Sequence, residues 1–278
     1  MKEGDVFVDA TLGRGGHSGY VAERYNNTVS IVGIDADPES IRASEERLKT
    51  AKTSFKAIKG NFREIENLLQ GVNVPHPDKI LFDLGWNTNQ FEEGGRGFSF
   101  QKDEPLLMSY SDTPSFTAGD IINTWEEESI ANVLFGYGEE RYARRIARHI
   151  VEKRKIKPIE TAKELADIIA ESVPFFYRRG KINPATKSFQ ALRIAVNDEL
   201  KSLGEALEGS ARILSKGGRI AVITFHSIED RIVKNFFKEL QQGGEWILIN
   251  KKPLTPSREE LIQNPRARSA KLRIIEKK

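Results

Sequence analysis

The sequence contains no cysteine among its 278 residues. This absence excludes disulfide bonds, thiolate zinc sites, iron–sulfur clusters and a cysteine nucleophile. Histidine is also scarce: His17, His76, His149 and His226 are far apart and show none of the close His/Glu spacings of zinc enzymes. We therefore expect no metal site.

Long hydrophobic runs are missing as well. No apolar run approaches the roughly 18–20 residues of a membrane span, and the first residues lack the apolar region of a signal peptide. The composition is 38% hydrophobic and 30% charged, with a mean hydropathy of −0.47. These features predict a soluble cytoplasmic protein with one large or two moderate domains.

The net charge of +3 is unevenly distributed along the chain. The net charge is +7 in residues 141–157 and +6 in residues 250–278, so the rest of the chain has a net charge of −10. Two local basic regions suit a polyanion such as RNA, although solvated helix and strand faces would give the same pattern. The candidate phosphate contacts in them are Arg141, Arg144, Arg145, Arg148, Arg266 and Arg268.

The order of predicted elements indicates an α/β fold interrupted by helices. Strands at 6–8, 29–34, 55–58 and 79–82 alternate with helices at 18–24, 38–48 and 65–69, with Asp37 as the N-cap before Pro38. A polar segment, 87–112, predicts a long loop over a binding face. Helices follow at 118–123, 127–135, 139–152, 161–172 and 188–207, the last with Thr186 as a possible N-cap.

Strands resume near the C-terminus. A strand at 219–225 precedes a helix at 228–240, for which Ser227 and Asp230 resemble a capping box. Segments 246–251 and 271–275 are predicted to pair as antiparallel strands at the sheet edge. We therefore expect a discontinuous α/β domain (1–110 and 205–278) and a helical insertion (111–204) that recognises the substrate.

A glycine-rich turn follows the first predicted strand. Asp9 ends that strand four residues before Gly13, the first residue of G-x-G-G. This turn lacks the G-x-G-x-x-G of nicotinamide-binding proteins, because the residue three after Gly15 is Ser18. It resembles motif I of S-adenosylmethionine (AdoMet) methyltransferases, in which the acid attracts the cationic methionine end; a tight structural turn would need glycine too.

Three further candidate residues lie at or just after the ends of the second, third and fourth predicted strands. Asp35 is placed to accept hydrogen bonds from ribose hydroxyls. Phe62 fits either an adenine contact or core packing. Asp83 ends the fourth strand, where the ligand crevice of an open α/β sheet receives its catalytic group.

At the level of longer motifs, the chain resembles the bacterial 16S ribosomal RNA cytosine-N4 methyltransferases (RsmH/MraW). The resemblance covers nearly the whole chain and rests on DATLGRGGHS (9–18), RGFSF (96–100), YGEER (137–141), NPAT (183–186), FQALRI (189–194), FHSIEDRIVK (225–234) and NPRARS (264–269). It implies a doubly wound Rossmann-like AdoMet-dependent sheet with an all-helical insertion, and a target cytidine in the ribosomal decoding region.

The same resemblance implies specific site residues. The implied cofactor contacts are Gly15, Gly16, His17, Asp35, Phe62, Asp83 and Gln90. It also makes Asn183 a wall of the target pocket, whereas by sequence alone this segment is a helix start.

The chain departs from the family pattern in two segments. The family sequence D-L-G-V-S-S-P-Q-L-D is replaced by DLGWNTNQFE (83–92), and P-L-D-M-R-M by PLLMSY (105–110). The short segment that precedes the first strand in the family is also absent from this sequence. Asp83 and Gln90 are retained, so these differences concern target handling more than cofactor binding.

The chemistry expected is in-line attack of a cytosine amine on the AdoMet methyl group, aided mainly by positioning. Asp83 or a nearby carbonyl would accept the amine N–H, and the proton would be lost to this acceptor or to water. Trp86 would stack on the flipped base or else anchor its loop. His226 would position the target or order the turn before Ser227.

Two alternative functions are methylation of another RNA or DNA amine, and RNA assembly by a cofactor-binding protein with little or no catalysis. The expected partner is 16S rRNA, naked or in the small ribosomal subunit, with no membrane. We expect a monomer or a homodimer, between which the sequence does not decide.

Overall fold

A computed structural model describes residues 1–26, 28–84, 95–111, 113–180 and 182–278. The chain divides into two compact units. The sheet unit comprises Met1–Trp86 and Leu200–Lys278, and the helical unit comprises Asn87–Glu199. No helix in the described ranges combines the length and the apolar character needed to cross a membrane.

Seven strands form one mixed sheet in the order β3-β2-β1-β4-β5-β7-β6. They are Val6–Asp9 (β1), Ser30–Asp35 (β2), Ser54–Lys59 (β3), Lys79–Asp83 (β4), Arg219–Thr224 (β5), Trp246–Leu248 (β6) and Lys271–Lys277 (β7). The first five are parallel, and β7 is antiparallel to both β5 and β6. The α/β prediction and the antiparallel edge pair are confirmed.

The helices follow the predicted order with two additions, Phe175–Arg178 and Arg258–Gln263. In chain order they are Gly16–Tyr25 (α1), Pro38–Leu48 (α2), Ile65–Gln70 (α3), Ala118–Thr124 (α4), Glu127–Gly138 (α5), Ala143–Arg154 (α6), Ala162–Ser172 (α7), Phe175–Arg178 (α8), Thr186–Asn197 (α9), Glu199–Ile213 (α10), Ser227–Gln242 (α11) and Arg258–Gln263 (α12).

Two predicted helices differ from the structure for the same reason. The helix predicted at 188–207 is interrupted at Asp198, and the one predicted from Glu139 begins only at Ala143. Asp198 and Glu139 both adopt the left-handed conformation, each with φ of 50°. Such a residue ends the helix before it, while the helical hydrophobic spacing continues on either side and hides the break.

Residues 95–110 lie in the helical unit, whereas the sequence placed them in the discontinuous α/β domain. The cause is hydrophobic burial: Phe98, Leu106 and Met108 all pack into the core of the helical unit. The sheet unit has a core of its own, in which Phe82 of β4 and Phe237 of α11 are fully buried.

Candidate functional site

The parallel strands bring their terminal carboxylates to one edge of the sheet. β1 ends at Asp9, which pairs in register with Gly33 of β2 and Leu81 of β4. β2 ends at Asp35 and β4 at Asp83. Because neighbouring parallel strands share their carboxyl edge, the three predicted acids lie at the same edge of the sheet.

The glycine-rich turn has the backbone that its sequence predicts. Gly13 and Gly15 adopt positive φ angles of 50° and 72°, and α1 begins at Gly16. Glycine takes up such angles without the penalty that a Cβ imposes. A Cβ on Gly15 would also lie 3.2 Å from Ser44 Cβ, so the turn packs closely against α2.

Asp9 is fully buried beneath this turn. Ser18 Oγ of α1 donates a hydrogen bond to Asp9 Oδ2 at 2.8 Å, while Asp9 Oδ1 has no hydrogen-bond partner among the described residues. Burial raises the pKa of Asp9 to about 6. The site therefore holds a carboxylate with one acceptor oxygen unused, which favours a cationic or hydrogen-bond-donating ligand.

Asp35 is held by backbone amides. Its Oδ2 accepts a hydrogen bond from Gly13 N at 2.8 Å and its Oδ1 from Asp37 N at 2.9 Å. Burial nevertheless raises the pKa of Asp35 above its ordinary value. Asp37 caps α2 through Glu39 N and Ser40 N, as predicted. The Asp35 carboxylate is thus fixed at the base of the glycine-rich turn.

Asp83 and His17 form a pair. His17 Nε2, at the start of α1, lies 3.1 Å from Asp83 Oδ2, and Asp83 N donates to Thr11 Oγ1 at 2.7 Å. The hydrogen bond to Asp83 raises the pKa of His17. This arrangement ties the end of β4 to the glycine-rich turn and leaves the Asp83 side chain 28% exposed.

Thr11 and Ser18 also contribute to the site, and neither role was predicted from the sequence. Thr11 holds the backbone of Asp83, and Ser18 holds the carboxylate of Asp9. The available signal was their position, since both are small hydroxyl residues that flank the glycines between β1 and α1.

Phe62 lies in a short 3₁₀ turn after β3, where Asn61 Oδ1 accepts a hydrogen bond from Arg63 N. Its half-buried ring meets Phe82 edge-on, with 5.9 Å between the ring centroids and 83° between the planes. One part of Phe62 therefore packs on the core, and the adenine contact stays a prediction.

His226 is the N-cap of α11, which corrects the predicted capping box of Ser227 and Asp230. Glu229 N donates to His226 Nδ1 at 3.3 Å, and Glu229 Oε2 accepts from Phe225 N and His226 N. The helix begins one residue earlier than predicted, so its third residue is Glu229. Asp230 instead accepts from Arg273 Nε at 2.7 Å.

The predicted contacts Trp86 and Gln90 lie outside the described residues. Asn183, in the helical unit, is exposed, and its Oδ1 accepts a hydrogen bond from Ala185 N. The N-cap position of α9 is held by Ala185, so the prediction of Thr186 as N-cap is wrong. The Asn183 side chain satisfies a backbone donor just before the helix instead.

The basic stretch 141–157 is partly neutralised within the helical unit. Arg148 pairs with Glu127, Lys153 with Glu171, and Lys157 with Glu164. Arg144 and Arg145 are exposed and have no carboxylate within 4.0 Å in the described part of the chain. In the sheet unit, Arg266 and Arg268 are exposed on the 3₁₀ segment Pro265–Ser269.

A buried acid beneath a glycine-rich strand-to-helix turn, with further acids on neighbouring strand ends, agrees with the family expected from the motifs. The model of the MraW methylase family matches residues 1–278. The chain belongs to the MraW methylase family. The match includes both the sheet unit and the helical unit, so the helical unit is part of the MraW pattern.

Three curated relatives are similar to this MraW-family chain over nearly its whole length. All are named ribosomal RNA small subunit methyltransferase H. The one from Sulfurihydrogenibium sp. is 46% identical over 98% of this chain and 92% of the relative. Those from Coprothermobacter proteolyticus and Brevibacillus brevis are 44% and 41% identical over 99% and 100% of this chain, and 90% and 93% of the relatives.

Proposed function

We propose that this MraW-family protein transfers a methyl group from AdoMet to the exocyclic N4 of a cytidine in the decoding region of 16S rRNA. Its membership of the family and its similarity to the ribosomal RNA small subunit methyltransferases H support this function. Within the molecule, the supporting observation is the buried Asp9 carboxylate beside the His17–Asp83 pair at one edge of the sheet.

The residues at this edge fit AdoMet. The free Oδ1 of Asp9 suits the cationic methionine end, and the space beside Gly13 and Gly16, where a Cβ would meet no atom within 4 Å, allows close approach of a ligand. Asp35 offers carboxylate oxygens suited to ribose hydroxyls. In the proposed site Asp9, Gly13, Gly15, Gly16, His17, Asp35 and Phe62 hold the cofactor, with Gln90 from the segment outside the described residues.

Bound AdoMet supplies an electrophilic methyl group on a sulfonium. The protein must then present a weak nucleophile, because the lone pair of the cytosine amine is delocalised into the ring. Asp83 accepts an N–H of that amine, which orients the nitrogen and stabilises the positive charge that develops on it, and the proton of the methylated amine is lost to Asp83 or to water. His17 holds the Asp83 carboxylate in place for this contact.

The target base is positioned by side chains that flank Asp83. Trp86 stacks on the flipped cytosine in our proposal, which would compensate for loss of stacking in the RNA. His226 orders the start of α11 at the end of β5, beside β4 in the sheet. Its capping contacts support a positioning role rather than proton transfer.

The helical unit is proposed to recognise the RNA. Its surplus cations, Arg141, Arg144 and Arg145, suit phosphates, as do Arg266 and Arg268 of the sheet unit. Arg148 is a weaker candidate, since it already pairs with Glu127 at 3.6 Å. We propose the assembled small subunit as substrate, bound by a monomer or a homodimer.

Nucleoside mass spectrometry tests the function. Small subunits lacking the modification are incubated with the protein and labelled AdoMet, and the digested RNA is analysed. We expect label on cytosine N4, a large loss in Asp83→Asn, and wild-type transfer in Asp167→Asn, which changes an exposed acid of the helical unit.

The other outcomes separate the alternatives. Label on a different amine assigns another target, and binding of RNA and AdoMet without transfer assigns an assembly role. Parallel reactions with naked 16S rRNA distinguish the two forms of substrate, since transfer to naked RNA alone would contradict the assembled subunit.

A further inference from the structure

Two consecutive phenylalanines are exposed on the helical unit. Phe175 and Phe176 begin the short helix α8 and are 64% and 66% exposed. Isolated exposed apolar side chains are common, but two adjacent aromatic rings leave a considerable apolar area in water.

Each of these rings faces a guanidinium group. Arg179 Cζ lies 4.5 Å from the centroid of Phe175, and Arg141 Cζ lies 5.7 Å from that of Phe176. Arg141 also lies over the rings of Tyr142 and Tyr177, at 4.7 and 5.0 Å. We name Arg141, Phe175, Phe176 and Arg179 the aromatic–arginine patch.

The patch rests on a rigid buried base. Glu140 is fully buried; its Oε2 accepts the Tyr177 hydroxyl at 2.7 Å, and its Oε1 accepts Tyr142 N at 2.8 Å. The two tyrosine rings meet at 77° with centroids 5.1 Å apart. Burial and the contact with Glu140 raise the pKa of Tyr177, so its hydroxyl remains a donor. Buried contacts therefore hold in place the two tyrosine rings over which Arg141 lies.

The charge around the patch is not neutralised within the helical unit. In the described ranges, no carboxylate lies within 4.0 Å of the guanidinium of Arg141 or Arg179. The neighbouring Arg144 and Arg145 are likewise exposed without an acidic partner there. Farther along α6, by contrast, Arg148 and Lys153 are paired with glutamates.

We infer that the aromatic–arginine patch is a stacking site for unpaired nucleobases of single-stranded RNA. Exposed rings stack on base faces, arginine planes add cation–π contacts, and the surplus positive charge attracts phosphates. An apolar peptide would use the rings but not the uncompensated arginines. The inference rests on the proposed RNA substrate. It adds a binding site for bases other than the reacting cytidine.

The test measures binding of the full-length protein to a fluorescent single-stranded RNA oligonucleotide by anisotropy, without AdoMet. The variant Phe175→Ala/Phe176→Ala removes both exposed rings. Phe135→Ala is the matched control, because Phe135 is 67% exposed in the same unit. We expect the double variant to lose about tenfold or more in affinity, equivalent to about 1.4 kcal/mol, and the control to bind like the wild type.

A second ligand isolates stacking from charge. An abasic oligonucleotide of equal length keeps the phosphates but has no bases, so the double variant and the wild type should bind it equally. Equal affinity of the two proteins for normal RNA, or an equal loss with the abasic ligand, overturns the inference. Thermal unfolding confirms that both variants are folded.

The binding result is independent of catalysis. If the wild type fails to methylate small subunits but the double variant still shows the base-dependent loss, the proposed function fails and the stacking site stands. If methylation occurs and the base-dependent loss is absent, the function stands and the stacking site fails. Loss of binding to an apolar peptide, with RNA affinity unchanged, would assign the patch to a protein partner.

Discussion

His17 Nε2 lies 3.1 Å from Asp83 Oδ2, joining the start of α1 to the end of β4. The pair places the imidazole of His17, which can be protonated, against Asp83, the proposed acceptor of the amine N–H. The hydrogen bond to Asp83 raises the pKa of His17, so a larger fraction of this side chain is protonated at a given pH than in a free histidine.

His17→Gln should alter the pH dependence of stability. A histidine whose pKa is raised by folding contributes stability fully below its unfolded pKa of about 6.5 and loses it as pH rises through the folded pKa. The wild type should therefore be more stable than His17→Gln at pH 5.5, with the difference shrinking above pH 6.5. Urea denaturation across this range measures it.

The same pair can be tested by direct titration. Asp83→Asn should lower the pKa of His17 toward 6.5, as followed by the ring resonances in NMR, while Asp167→Asn should leave it unchanged. A His17 pKa that is the same in both variants would show that Asp83 is not the cause of the shift.

Asp9→Asn should stabilise the ligand-free protein at neutral pH. Burial raises the pKa of Asp9 to about 6, so ionisation costs up to about 3 kcal/mol above that pH relative to the unfolded chain. The gain should shrink as pH falls from 6 toward 4, because the buried acid then becomes neutral. Urea denaturation at several pH values measures it, and a gain independent of pH would contradict the explanation.

The same variant should bind AdoMet more weakly. The neutral amide cannot provide the charge that the proposed site offers to the cationic methionine end. Isothermal titration with AdoMet should show a clear loss of affinity at pH 7.5 in Asp9→Asn. This variant should therefore be more stable without ligand and yet bind AdoMet more weakly than the wild type. Unchanged affinity would remove Asp9 from the cofactor site.

Gly15→Ala should reduce both stability and AdoMet affinity. Its control is Gly217→Ala, since both glycines have φ near 70° but only Gly15 has a close neighbour, Ser44 Cβ at 3.2 Å. The left-handed conformation costs each variant about 1–2 kcal/mol. Thermal unfolding should show a larger loss for Gly15→Ala, and titration with AdoMet should show an affinity loss in this variant alone.

His226→Ala should lose about 1 kcal/mol through loss of the helix cap. Asparagine is a good N-cap residue, so His226→Asn should recover most of that stability. If His226 only orders the turn, His226→Asn should also recover the rate of methyl transfer. Recovered stability with a slow rate would assign His226 a direct contact with the target.

Arg144→Gln/Arg145→Gln should make RNA binding less dependent on salt. Each lost phosphate contact on a single strand reduces the slope of log K against log salt by about 0.7, so the double variant should lose about 1.4. Arg148→Gln is the control, because Arg148 already pairs with Glu127. If Arg148→Gln reduces the salt dependence as much per residue, the ion pair with Glu127 does not keep Arg148 from contacting phosphate.

Strand ends were the part of this site most readily predicted from sequence. Asp9, Asp35 and Asp83 each follow a short apolar run, and parallel topology then requires them to share an edge. The left-handed Glu139 and Asp198 were not predictable, because the residues on both sides keep a helical pattern. Phe98 and Leu106 show the same limit, since their assignment to a unit depends on which core they join.

Side-chain partners were harder to predict than positions. Histidine is an uncommon N-cap, so the Ser227 and Asp230 pattern seemed the better capping box than His226 with Glu229. The Phe175–Phe176 pair carried no periodic signal, and only the structure shows the guanidinium groups against its rings.

The position of β7 between β5 and β6 has a consequence for synthesis on the ribosome. The helical unit is contiguous in sequence, so its core can assemble while translation continues, whereas the sheet needs residues 271–277 for its β5 edge. A nascent chain that stops before Lys271 leaves that edge unpaired and prone to aggregation. The sheet can therefore reach its full strand order only after the helical unit has been synthesised completely.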